Sequence, residues 1–474
     1  MQPHNCSEMS RRDFLKAAAV VLGTGTLGGL AAACGPAPTT VPPTAPPAAV
    51  PTVVSAPAFD WKRFAGTQIS YLAKNQRYTT EPLKYLSEFE QLTGIKVTPD
   101  LATSQEFYQK QTLALTTAPE KIDLLDYTTE VMRWRMVGGG FLEDLNPFLN
   151  DKSLTATDYD FSDFIEAQVK NCSSKDGKQL WGIPYEIPAP VFAYRKDVYD
   201  AKGLKVPQTL DEFEKNIAAC HDPTKEFYGW TTRGVAVPST HTFAFVRRAL
   251  GAPYLDKNNK ASVNSPEMIQ ALEYYGRLLR NYGPPGPEGL DDAKCVALFS
   301  QGRAAHTYLS NTYHYAFWDP SSSKVVGQIG WFTAPKGPKG GGDSAGPIAI
   351  SICSKSKNKQ AAWYFAQWFT NKRNQLRSQV LPEPTGRKSA WAAPEFKQGL
   401  KGDAVAFMTT MEAALANGFM DAHPPAEDFS GARATVGAAI TVAIQGGDIK
   451  AAAEKANIAY QKQIDSEGGV PPIY

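Results

Sequence analysis

At 474 residues the chain is too long for one ordinary core and long enough for two or three domains. Hydrophobic residues make up 43% and charged residues 20%, as in ordinary globular chains. A formal net charge of +2 gives no basis for a nucleic-acid groove or a polybasic membrane patch, so nucleic acid is not expected as a partner.

The N-terminus reads as an export signal. Ser10-Arg11-Arg12-Asp13-Phe14-Leu15-Lys16 fills every position of a twin-arginine motif. Residues 17–33 are apolar and rich in Ala and Gly, shorter than the roughly 20 residues a membrane span needs. They suit the core of a cleaved signal, so 1–33 is expected to be a signal peptide. Its end, Leu30-Ala31-Ala32-Ala33-Cys34-Gly35, resembles a lipobox, in which the Cys is acylated and becomes the new N-terminus. Leu30 stands four residues before Cys34, where three is usual; plain cleavage to an unlipidated product is the alternative. Gly23-Thr24-Gly25-Thr26-Leu27-Gly28 spells G-x-G-x-x-G but lacks the strand before and the helix after that a dinucleotide site needs. Residues 34–58 are rich in Pro, Ala and Thr, and Pro stiffens such a run into an extended tether.

Strands and helices then alternate. Residues 68–73 (QISYLA) read as a strand, and 82–92 as a helix with apolar residues at 83, 86, 89 and 92. Gly94 stops that helix before a strand opening at 95–97. Residues 104–116 read as a helix and 122–127 (IDLLDY) as a buried strand. This order implies a parallel, doubly wound sheet, with ligands at the carboxyl ends of its strands. Further strands are expected at 180–185, 191–194 and 348–352. Thr209 and Glu212 stand in a capping-box pattern, and Ser265-Pro266 opens a helix to about 280. Residues 359–370 and most of 427–464 read as helical, the latter broken at Gly446-Gly447.

Cys172, Cys220, Cys295 and Cys353 remain in the folded part. An oxidising compartment permits disulfides, with three full pairings open to four cysteines. No C-x-x-C pair is present, which leaves no zinc or thioredoxin-type pattern.

Several segments in order resemble the family 1 extracellular solute-binding proteins, the sugar-type receptors of ABC importers. Phe89-Glu90-Gln91-Leu92-Thr93-Gly94-Ile95-Lys96-Val97 is similar to the family's F-E-x-x-T-G-I-K-V. Gly182-Ile183-Pro184-Tyr185 followed by Tyr194-Arg195-Lys196-Asp197 resembles G-I-P-Y and Y-N-K-D, with Arg195 replacing Asn. GGGFLEDL at 138–145, VPQTLDEF at 206–213, FSQGRAA at 299–305, APKGP at 334–338 and SKSKNKQAAW at 354–363 match further family stretches. The resemblance implies a periplasmic-binding-protein-like α/β fold of two lobes that close on a ligand about a hinge of chain crossings. Crossings are expected at 184–190, at 302–306 and after the Gly-rich 339–346 loop. The first lobe is then expected to hold 59–186 with 305–345, and the second 187–304 with 346–474.

The same resemblance implies a small-molecule solute, a sugar first, handed to the membrane subunits of an ABC importer by a monomer anchored through lipid at Cys34. No cofactor, metal or catalytic residue is implied. Carried over by segment, the ligand contacts are Asn75 and Gln76 after the first strand, Tyr127 and Glu130 after the third, and Tyr185 and Glu186 at the first crossing. Glu186, in an apolar Pro-rich run, needs a partner, either a ligand hydroxyl or an internal Arg. His241 faces the cleft or is a structural His. Asn311, Tyr313, Ser344, Arg387 and Arg433 complete the set, each Arg being a cleft residue or a surface charge. An Arg in the site makes an anionic ligand conceivable. The family often has Trp just before the 348–352 strand; Gly346-Pro347 stands here instead. A peptide or polyamine ligand is the other binding reading.

A hydrolase is the competing class. Gly342-Asp343-Ser344-Ala345-Gly346 matches G-x-S-x-G, and Ala304-Ala305-His306 imitates the surroundings of a catalytic His. A nucleophile elbow needs strand, turn and helix, whereas here a loop precedes and a strand follows.

Overall fold

The computed structural model describes residues 58–469 apart from 417; the signal, Cys34 and nearly all of the tether lie outside them. Among the described residues nine strands form two sheets. The strands are β1 (Gln68–Lys74), β2 (Lys96–Ala102), β3 (Leu124–Thr128), β4 (Ile183–Glu186), β5 (Pro190–Arg195), β6 (Thr231–Thr232), β7 (His306–Ser310), β8 (Ile329–Phe332) and β9 (Ile348–Ile352). The first sheet has the order β2-β1-β3-β9-β4 and the second β6-β7-β5-β8. Each sheet has its own hydrophobic core.

In the first lobe, β1 pairs in parallel with β2 and β3, the doubly wound start that the alternation of elements implies. The fully parallel sheet is corrected: β9 runs antiparallel to both β3 and β4. It returns from the second lobe rather than through a crossover helix, so nothing forces it parallel. All five residues of β3 are buried, which is why LLDYT shows no polar alternation. The helix Lys359–Phe369 seals this core, Phe365 lying 5.6 Å from Tyr71 and 5.2 Å from Phe89 between ring centroids. The helix expected at 82–92 divides into Arg77–Leu83 and Leu86–Thr93, with Tyr85 leaving helical geometry between them.

The second lobe packs around Phe192 of β5. Its ring stacks on Tyr308 at 4.2 Å and Phe332 at 4.8 Å, and meets Phe245 edge-on at 5.1 Å. Thr209 and Glu212 form the reciprocal capping box at the start of Leu210–Cys220. The tail folds as Phe429–Gln445 and Ile449–Ser466, with Gly446 in the left-handed region at the break.

Strand pairing corrects the lobe boundaries. β7 and β8 pair with β5, so 305–345 belongs to the second lobe, and 302–306 is no crossing. β9 pairs with β3, so 348–352 and the helix after it belong to the first. The chain changes sheets between β4 and β5, again between β8 and β9, and a third time before Trp391, which packs in the second core. The four cysteines are buried, unpaired thiols, so the disulfides considered above are absent.

Close packing of the helix Pro266–Tyr282 on Phe429–Gln445 depends on Gly276, where a Cβ would overlap the backbone of Ala443. Gly276→Ala is expected to lower unfolding free energy by about 1–3 kcal/mol despite its better helix propensity, measured by denaturant titration.

Candidate functional site

A cavity of about 190 Å³ opens at the strand ends, where the two lobes face each other. From the first lobe come Lys74 at the end of β1, Gln76 and Tyr78 beyond it, Tyr108, Thr128 at the end of β3, and Glu130 with Val131. From the second come Arg233, His241, His423 and Arg433, while Pro188, Ser310, Thr312 and Tyr313 line the hinge side.

The floor rests on a buried carboxylate. Asp126 accepts hydrogen bonds from the Tyr71 hydroxyl at 2.6 Å, the Tyr185 hydroxyl at 2.8 Å and the Lys74 backbone N–H at 2.9 Å. Three strands are tied at their carboxyl ends by this one side chain. The Lys74 ammonium then donates to the Tyr108 hydroxyl at 2.7 Å and to Thr128 Oγ1 at 2.8 Å, at the cavity wall.

A polar chain crosses the cleft. Arg233 donates from Nε to Asp292 at 2.6 Å, and its Nη1 lies 3.0 Å from His241 Nδ1. A guanidinium has no acceptor, so Nδ1 accepts and the proton of neutral His241 sits on Nε2. Nε2 lies 3.2 Å from Ser344 Oγ, which donates to Glu130 Oε1 at 3.0 Å. Burial, then the charges of Arg233 and Arg433, push the His241 pKa well down and keep the ring neutral. Burial raises the Glu130 carboxyl to about 8, against the Ser344 hydrogen bond that favours its charged form. Gly346 makes room for this arrangement, since a Cβ there would overlap the Glu130 side chain. The Trp that the family often carries before β9 has no space here.

This direction of hydrogen bonding removes the serine-hydrolase reading. His241 presents a proton, not a lone pair, to Ser344, and its other nitrogen faces an Arg instead of an orienting carboxylate. His306 is buried in the second core, 2.7 Å from both the Tyr199 hydroxyl and the Gly229 carbonyl. Glu130, His241 and His423 each offer one ligand atom within 4.8 Å of the others. Arg233 and Arg433 act on both imidazoles, and that like charge opposes a metal dication.

Of the residues singled out from sequence, Gln76, Glu130, His241, Tyr313 and Arg433 line the cavity, and Ser344 bonds to its wall. Six do not. Asn75 is exposed on the loop after β1. Tyr127 and Tyr185 belong to the first core, Tyr185 bonding to Asp126. Glu186 is fully buried at the first crossing and accepts from Asn311 Nδ2 at 3.3 Å, while Asn311 Oδ1 accepts from the Ala189 N–H at 3.1 Å. The Asn serves one oxygen of Glu186, in place of the ligand hydroxyl or Arg considered for it; Oε2 has no hydrogen bond among the described residues. Arg387 is fully buried, donating to the carbonyls of Thr370, Asp160 and Tyr159 at 2.7–2.9 Å and to Asp163 at 3.2 Å. It is neither a cleft residue nor a surface charge. Sequence reading missed Lys74, Tyr78, Tyr108, Arg233 and His423. Lys74 ends β1 and Tyr78 follows four residues on, both within reach of the strand-end rule; Arg233 and His423 are brought in by long-range folding alone.

The model of the family described as "Bacterial extracellular solute-binding protein" matches residues 70–376, and that of the twin-arginine translocation signal matches 8–28. The erythritol/L-threitol-binding protein of Mycolicibacterium smegmatis is 27% identical over 330 residues, 66% of this chain and 69% of that one. The mannitol-binding protein of Pseudomonas aeruginosa is 28% identical over 229 residues, 47% of this chain and 52% of that one. A solute-binding protein of Agrobacterium radiobacter in complex with ribitol superposes with a TM-score of 0.73 at 24% identity, over 84% of this chain and 99% of that one. A maltose-bound protein of T. maritima gives 0.69 at 18% identity, over 84% and 99%. These likenesses show the fold, two α/β lobes.

Two outcomes follow from the geometry. Arg387→Met is expected to destabilise the fold by about 3–5 kcal/mol, by removing the counter-charge of Asp163 and the donors to three carbonyls, while leaving solute affinity within twofold, measured by denaturant titration and calorimetry. The raised Glu130 pKa means that stability from this group is full below the ordinary carboxyl range and lost as pH rises to about 8. Thermal unfolding of Glu130→Gln is therefore expected to gain on wild type progressively from about pH 4.5 to 8, and a gap independent of pH would contradict the assignment.

Proposed function

This chain belongs to the bacterial extracellular solute-binding proteins, exported by the twin-arginine route, and on that premise we propose that it collects a small acyclic polyhydroxy solute for an ABC importer. The observation that carries the size is the cavity, about 190 Å³ against the roughly 300–1,000 Å³ of sites for larger ligands. An oligosaccharide exceeds it. The lining carries the chemistry. Three Tyr rings and no Trp face the cavity, so stacking surface for a flat sugar ring is sparse. Hydrogen-bonding groups dominate instead: Lys74, Gln76, Thr128, Glu130, Arg233, His241, Ser310, Thr312, His423 and Arg433. An open polyol chain offers a hydroxyl at each carbon to such a lining and has no ring face to stack. Relatives named for erythritol, threitol and mannitol support the same reading.

The solute bridges both lobes and gains its full contacts only when they are closed, so it shifts the equilibrium to that form. The importer's membrane subunits then receive the closed shape. No bond of the solute is made or broken. The protein works as a monomer, held to the membrane by acylation of Cys34, with the Pro-rich run to residue 58 as its tether.

Calorimetry against erythritol, ribitol, mannitol, glucose, maltotriose and amino acids tests the ligand. Saturable binding of a chain of four to six carbons is expected; binding of maltotriose or an amino acid alone would reject the proposal. Anchoring is tested by Cys34→Ser in the producing cell, which is expected to move the protein from the membrane to the soluble exported fraction.

A further inference from the structure

The site holds more positive charge than its carboxylates balance. Arg233 is matched by Asp292 at 2.6 Å. Arg433 has no carboxylate within ion-pair distance among the described residues. Its fork is held by neutral groups, Nε donating to Thr240 Oγ1 at 2.8 Å and Nη2 to the Val237 carbonyl at 2.7 Å. Phe429 covers the guanidinium at 5.0 Å from the ring centroid. Nη1 has no hydrogen bond among the described residues, and the side chain lines the cavity. Lys74 donates to Tyr108 and Thr128, both neutral, while the buried Asp126 carboxyl lies behind it on the first lobe's side.

The nearby groups do not answer this charge. Burial and the neighbouring Arg residues hold His241 and His423 neutral. Glu130 is the one carboxyl lining the cavity, and with its pKa raised to about 8 it is mostly protonated at neutral pH. Burial, then the charge of Arg233, lower the Arg433 pKa to about 10, outweighing the opposite effect of Asp292. A neutral solute closing this cavity would shut in the excess; a solute with one negative end would cancel it through charge-assisted hydrogen bonds.

We propose that the solute is an acyclic polyhydroxy acid of the aldonate type, its carboxylate held by Arg433 and Arg233 of the second lobe and its hydroxyl chain reaching Lys74, Gln76 and Glu130 of the first. This rests on the polyhydroxy reading above and narrows it. The carboxylate takes the free Nη1 edge of Arg433, and protonated Glu130 donates to a hydroxyl at the other end of the chain.

Calorimetry of the purified protein at pH 7 with matched pairs, ribitol against ribonate and mannitol against mannonate, tests the charge directly. The acid of the bound chain length is expected to bind at least about tenfold more tightly than its alditol, roughly 1.4 kcal/mol. An alditol that binds as tightly as its acid overturns the carboxylate and leaves the polyol reading standing. If neither member of either pair binds, and erythritol and erythronate do not bind either, both fall. Acetate and inorganic phosphate serve as controls, and either one binding as tightly as the acid would overturn a site built for the whole molecule. Arg433→Gln is expected to remove the preference for the acid, and Arg433→Lys to keep part of it; equal losses for acid and alditol in both variants would mean that Arg433 only supports the wall. The wild-type comparison decides the proposal even if a variant fails to fold.

Discussion

The carboxyl of Asp126 is the fixed point of the first lobe. Two phenol hydroxyls and one backbone N–H converge on it, from β1 and β4, while its own backbone sits in β3. Burial raises its pKa and the three donors pull it down, so the carboxyl is affordable only with all of them in place. The strand ends are thereby locked in register, and the cavity floor inherits that precision. Lys74 reaches Tyr108 and Thr128 because its backbone is held by Asp126.

The opposite wall is held differently. Arg433 and Arg233 stand on the second lobe and are positioned by the Val237 carbonyl, Thr240, His241 and Asp292. The two walls meet through Glu130 and Ser344, and beyond the cavity Arg135 of the first lobe donates to the Glu427 carbonyl of the second at 3.1 and 3.2 Å. A solute that touches both walls favours the closed form by the contacts it gains only there, as a receptor requires if it is to signal occupancy by shape.

Much of the fold was legible because local rules and tertiary structure agree. Residues 348–352 form β9 as read, the capping box at Thr209 and Glu212 closes, and the C-terminal helices break at Gly446. Lobe membership was not legible. Whether 306–310 pairs with β5 or with β3 depends on contacts more than a hundred residues apart, and no spacing encodes it. The site shows the same division. The strand-end rule led to Gln76 and Glu130, but overshot inward to Tyr127, whose ring lies one residue too early and packs in the core. Arg387 looked available because a sequence cannot show that three carbonyls and Asp163 already surround it.

The four thiols carry a consequence for life outside the cytoplasm. Burial pushes Cys220 up to about 11 and Cys295 up to about 12, and raises Cys172 and Cys353 as well. Thiolate is the reactive form, so the native body is chemically silent toward oxidants around it. An unfolded copy exposes all four at once, with no native pairing to guide them. Oxidation then turns a reversible excursion into a one-way exit, and the lifetime of the exported protein is set by how rarely it opens rather than by how favourably it folds.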